Sequence, residues 1–195
     1  MRTLDRARGE KTAMQAISRL FRPRAAVEAG RRLYASAAAQ ARQPAFYASA
    51  GAPDTPTGRF ELYTLHVVLL LHRLKGGGAR AAETGQALFD AYCRSLDGAL
   101  RELGVGDLSV GKKMRKLGEA FYGRAKSYDA AFAELPDSAA LRATIARTVF
   151  DNSPEGDADA VTAYALRTVA ALAAQPLDAL LDEAAPAWQR FEAAP

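Results

Sequence analysis

Chemistry in this chain would have to come from very few places. The segment Gly106-Asp107-Leu108-Ser109-Val110-Gly111-Lys112-Lys113 has the glycine spacing and the lysine of a phosphate-binding loop. Lys113, however, stands where a magnesium-binding Ser or Thr belongs, and the segment follows the polar stretch 97–103 rather than a buried strand. Its glycines therefore read as a helix break that permits positive φ. His66 and His72 lie six positions apart, about 240° round a helix, so they cannot clamp one metal as a four-residue spacing would. Each is expected at the edge of the core, sharing a proton with a carbonyl or carboxylate. Cys93 is the single cysteine, which excludes an internal disulfide and a multi-thiolate metal site; it reads as a small buried hydrophobe. There is no GxSxG elbow, and Asp157 with Asp159 fits the solvated start of a helix, where acids complement the dipole. The residue set favours a binding protein, with no catalytic residue, cofactor or metal expected.

The elements that would position such a surface are helical. With 195 residues, 49% apolar and 25% charged, and only 9 Pro and 15 Gly, the chain can bury one ordinary core and falls outside the disordered and fibrous classes. Alternating β-branched runs are nearly absent, so the fold class is all-α: a single-domain bundle of about six to eight helices. A basic amphipathic helix is expected within 1–22, with Met14, Ile17 and Phe21 on one narrow face, followed by one helical domain over 23–195. Pro23 suits a helix start, and the Ala-rich stretch 25–42 runs to Gln43-Pro44. Residues 60–75 are apolar on nearly every side, which in a globular chain marks the central helix of a bundle. A long helix is predicted over 83–103, another from Val110 closed by Gly123, and a short one over 128–135 capped by Ser127. Ser138 is the expected cap of the next, and two helices over about 157–174 and 176–184 precede a tail pinned by Trp188 and Phe191.

No apolar run reaches the roughly 20 residues that span a bilayer, and the N-terminus reads as neither secretory signal nor transit peptide. Charge is distributed as a gradient. Residues 1–42 hold 10 basic against 3 acidic side chains, 94–126 hold 8 against 4, and 127–195 hold 4 against 11. Anionic partners are thus expected to meet the first half of the chain. The densest positive cluster is Lys112-Lys113-Met114-Arg115-Lys116, followed by Phe121-Tyr122 and Arg124. Such a cluster suits a solvated face, nucleic-acid phosphates, anionic headgroups or an acidic protein surface. The acidic C-terminal third argues against DNA.

Three stretches together resemble a known family: Arg59–Leu74, Ala87–Tyr92, and Gly104–Leu117 running on to Phe121-Tyr122-Gly123-Arg124. They are similar to the ubiquinol–cytochrome c chaperone family over about residues 30–165. The resemblance implies a non-enzymatic assembly factor for respiratory complex III that binds newly made cytochrome b. It further implies peripheral placement on the cytoplasmic face of a bacterial inner membrane, or the matrix side in a mitochondrion, near the ribosome and with a small partner protein. Lys112, Lys113, Met114, Arg115, Lys116, Gly118, Phe121, Tyr122 and Arg124 are the expected client-binding residues, Phe121-Tyr122 offering apolar surface beside a basic rim. Gly118 would let a client helix approach closely, or else pack against the protein's own core. The competing reading is a soluble helical regulator or RNA-binding module using the basic helix 110–124.

Overall fold

Apolar side chains all round one segment dictate the architecture. The computed structural model describes residues 24–192, so the basic helix expected within 1–22 lies outside the described residues. Its helices are α1 (24–41), α2 (Pro44–Ala48), α3 (Pro56–Leu74), α4 (Gly78–Glu102), α5 (Asp107–Ala133), α6 (Ala139–Val149), α7 (Ala158–Ala174) and α8 (Leu177–Asp182), and no strand occurs among the described residues. α3 is the axis. Pro56 occupies its first turn and the Thr55 hydroxyl accepts from the Gly58 amide at 3.1 Å, which fixes where the helix begins. Leu62, Leu65, Val67, Leu69 and Leu70 are then sealed on different sides as α4, α5, α6 and α7 pack around it. Burying each such leucine contributes roughly 1.5–3 kcal/mol.

Small residues bring α1 against α4. A Cβ on Gly30 would stand 2.6 Å from the Ala87 carbonyl carbon, so only glycine permits this crossing. Trp188 and Phe191 pin the tail as expected, against α1 and α2: Trp188 Nε1 donates to Ser36 Oγ at 2.9 Å, and the Phe191 ring lies 4.9 Å from that of Phe46. Arginines from other helices satisfy open helix ends. Arg32 donates to the carbonyls of Leu180 and Ala184 at 2.6 Å, and Arg73 to those of Leu172 at 2.6 Å and Gln175 at 2.8 Å.

Three local expectations are corrected. The helix starting near Val110 does not close at Gly123, nor does a separate helix over 128–135 follow: α5 is continuous to Ala133. Its apolar spacing, Leu117, Phe121, Tyr128 and Phe132, runs unbroken through the glycine, and burying that face outweighs the roughly 1 kcal/mol cost of an interior Gly. Ser127 is therefore no cap; its hydroxyl donates back to the Gly123 carbonyl at 3.1 Å. Ser138 makes no side-chain cap, and the Asp137 carboxylate takes the Ala139 amide at 2.9 Å instead. α4 begins at Gly78, five residues before the expected Glu83.

Candidate functional site

The groups that sequence reading weighed for chemistry are engaged or unreactive. The phosphate-loop-like segment is the tip of the α4–α5 hairpin, where Arg101 ties Asp97 at 2.7 Å to Asp107 in the first turn of α5. His66 lies in the centre of the core rather than at its edge, fully buried. Its Nδ1 donates to the Leu62 carbonyl at 2.7 Å and its Nε2 accepts the Tyr164 hydroxyl at 2.9 Å, while Gln40 donates to the same tyrosine oxygen at 3.1 Å. That arrangement suits the neutral ring, which burial favours by pushing its pKa down to about 4. Cys93 is half-buried rather than sealed, and burial pushes its thiol up, away from the thiolate a nucleophile needs. Asp157 caps α7 through the Ala160 amide at 2.8 Å, and Asp159 pairs with Arg142 at 2.5 Å.

Open apolar surface is found where α3, α4 and α5 meet. A groove of about 570 Å³ runs between them, floored by Val68, Leu71 and Phe121 and walled by Ala82, Phe89 and Tyr122. Phe89 holds this wall together, its ring 4.9 Å from Phe121 and 5.8 Å from Tyr122. At the mouth, Lys75 Nζ pairs with Asp129 at 2.9 Å. His72 also lines the groove, its ring 4.5 Å from Phe132 and its Nδ1 buried without a hydrogen-bond partner; burial lowers its pKa. Small residues keep the space open: on Gly85 a Cβ would already sit 3.5 Å from Leu71 Cδ2.

α5 distributes the expected client-binding residues over three environments. Lys112, Lys113, Arg115 and Lys116 are exposed, and among the described residues none of them forms an ion pair or a side-chain hydrogen bond. Met114 is half-buried, one turn from the buried Val110. Tyr122 is 65% exposed, but Phe121, expected at the surface, is 3% exposed and belongs to the core. The reason is geometric: Phe121 continues the apolar face of α5, and its neighbour points about 100° away. Arg124 is likewise not part of the surface cluster. It turns inward, Nη2 donating to Glu61 Oε1 at 2.7 Å and Nε bridging both carboxylate oxygens at 3.2 Å. Glu61 is 3% exposed, and burial pushes its carboxyl up while the Arg124 hydrogen bonds pull it down. Gly118 lies one helical turn before the groove-lining Tyr122, Ala125 and Asp129, just outside the lining itself. No atom lies within 4 Å of a Cβ built there, so its backbone is open and does not pack against the protein's own core.

Sequence reading missed Val68, Leu71, His72 and Phe89 as groove walls. Their types read as core, and the one usable signal was the run of small residues, Ala81, Ala82 and Gly85, facing them from α4.

The described residues thus form an all-α bundle with an apolar groove beside an unpaired basic helix face. The family model described as Ubiquinol-cytochrome C chaperone matches residues 48–188, and the chain belongs to that family. A solved structure, the Cbp3 homolog from Brucella abortus, is similar with a TM-score of 0.74 and 36% identity, covering 87% of this chain and 92% of that one. Among curated proteins none matches significantly. No described helix is long and apolar enough to cross a membrane.

Proposed function

We propose that the chain is a non-enzymatic holder of newly made cytochrome b during assembly of the ubiquinol–cytochrome c reductase complex. The groove between α3, α4 and α5 carries this reading. A multispanning client presents apolar helices before it is assembled, and a helix laid along Phe89, Tyr122 and the open backbone at Gly118 would cover apolar surface on both partners. The locked neutral His66 and the high-pKa thiol of Cys93 support a role without catalysis. Lys112, Lys113, Arg115 and Lys116 stand beside the groove, available to the client's polar loops or to headgroups, which suits peripheral work on the cytoplasmic face of a bacterial inner membrane. A ribosome or a small partner protein would meet the same face.

Ala82 offers the test, because it is exposed in the groove wall and contributes nothing to the core. Ala82→Phe should fill the groove, leave the melting temperature unchanged and reduce recovery of cytochrome b in affinity capture at least tenfold. Full recovery with a correctly folded variant would remove the groove from the proposal. Capture of RNA in place of cytochrome b would favour the RNA-binding module.

A further inference from the structure

The distal half of the α4–α5 hairpin, residues 97–116, contributes no member to the core cluster, yet it concentrates two unusual features. Among the described residues four large apolar side chains are exposed, and three of them are here or at its base: Leu103 (65%), Leu108 (102%) and Tyr122 (65%). Between Leu108 and Tyr122 lie the four cations without partners. Helical spacing orders them: 108, 112, 115, 119 and 122 step by four, three, four and three, so Leu108, Lys112, Arg115, Glu119 and Tyr122 share one outward stripe about 21 Å long, with Lys116 on its flank. The acids nearby do not cancel it. Asp97 and Asp107 are both taken by Arg101, which leaves Glu102 at the tip and Glu119 on the stripe.

We infer that this outward stripe of α5 is a lipid-headgroup site, by which the hairpin lies along an anionic bilayer with Leu103, Leu108 and Tyr122 as shallow apolar anchors. The inference rests on the reading that the chain works at a membrane surface, and it names the element that touches lipid. An amphipathic helix with cations flanking aliphatic and aromatic anchors suits the headgroup–acyl boundary: lysine stems snorkel to phosphates while leucines enter the apolar layer. Tyr122 is suited to that depth, its ring backed by Phe89 and its hydroxyl free to stay wet. The exposed leucines discriminate between anions. A nucleic-acid backbone or an acidic loop rewards the cations but gains nothing from two aliphatic side chains at the tip, whereas a bilayer rewards both. The stripe adjoins the groove, which opens on the Ala125 and Asp129 side of α5, and Tyr122 is the residue the two share.

The test is flotation of the full chain with phosphatidylcholine vesicles, with and without phosphatidylglycerol. Binding should require the anionic lipid. Lys112→Gln with Arg115→Gln should lower the partition coefficient roughly thirtyfold, and Leu103→Ser with Leu108→Ser roughly tenfold, both in variants of unchanged helicity. In Leu108→Trp the new indole should shift to shorter wavelength on anionic vesicles, against a constant background from Trp188. The inference is overturned if neutralising Arg2, Arg6, Arg8, Lys11 and Arg19 abolishes flotation while the α5 variants float like the parent. It is equally overturned if the chain binds single-stranded RNA as tightly as vesicles and the leucine variants leave both unchanged. Capture of cytochrome b from detergent uses no bilayer, so its failure would strike the client reading and leave the vesicle result standing.

Discussion

Replacing Arg124 by leucine probes the least obvious contact in the fold. The guanidinium makes three hydrogen bonds to Glu61, whose carboxylate is 3% exposed, so its loss strands a buried carboxylate near Tyr92 and Tyr128. Removing one member of a fully buried pair costs about 3–5 kcal/mol. The Arg124 side chain is 35% exposed, and solvent screening discounts that to about 2 kcal/mol, or a fall of roughly 4–8 °C in melting temperature for a chain of this size. Glu61 already has a raised pKa through burial, and losing Arg124 raises it further. The folded variant then binds a proton that the unfolded chain releases, so stability is regained as pH falls toward the unfolded carboxylate range. Denaturant unfolding of Arg124→Leu should show a deficit at pH 7.5 that narrows at pH 5, and Glu61→Gln in the same chain should restore most of it. A deficit independent of pH, or a double variant no better than the single one, would show that the pair is not what joins α5 to α3.

Burial of His66 sets a second pH dependence with the opposite sign. Its pKa falls from about 6.5 unfolded to about 4 folded, so the unfolded chain binds the extra proton and about 3 kcal/mol of stability is lost as pH drops through that window. In His66→Gln, measured by urea unfolding between pH 7 and pH 4, that component should vanish; an unchanged pH profile would mean His66 is not buried neutral. Gly30→Ala should cost about 1–3 kcal/mol, because its Cβ meets the Ala87 backbone at 2.6 Å, and thermal melts of the full chain read it directly. Gly118→Leu meets open space and should leave stability within about 1 kcal/mol while lowering cytochrome b recovery; equal recovery from a folded variant would place the client elsewhere.

How much of this was legible in the sequence depended on how local the signal is. α3 could be read directly, because Phe60 to Leu74 is apolar on every side and only a bundle's centre accommodates that. The exposed basic face at Lys112 to Lys116 was equally plain, since four cations within five positions cannot all be buried. Arg124 looked like one more of them; its partner Glu61 lies 63 residues away, and only the packing of α5 on α3 brings the two together. Phe121 and Tyr122 could not be told apart by type, and the apolar repeat that assigns one to the core passes through Gly123 and Ser127, which imitate a stop and a cap. The groove left only a faint sequence signal, the small residues Ala81, Ala82 and Gly85, because its walls come from three helices and residues such as Val68, Leu71 and Phe89 read as ordinary core when taken alone.

The most direct measurement is affinity capture of the full chain from detergent-solubilised membranes of its own cell, with cytochrome b quantified against the other membrane proteins recovered. Holding an unassembled client should enrich cytochrome b over every other membrane protein and over the remaining subunits of the reductase complex. Recovery of cytochrome b only in proportion to those subunits, or none at all, would mean that the chain does not hold it before assembly.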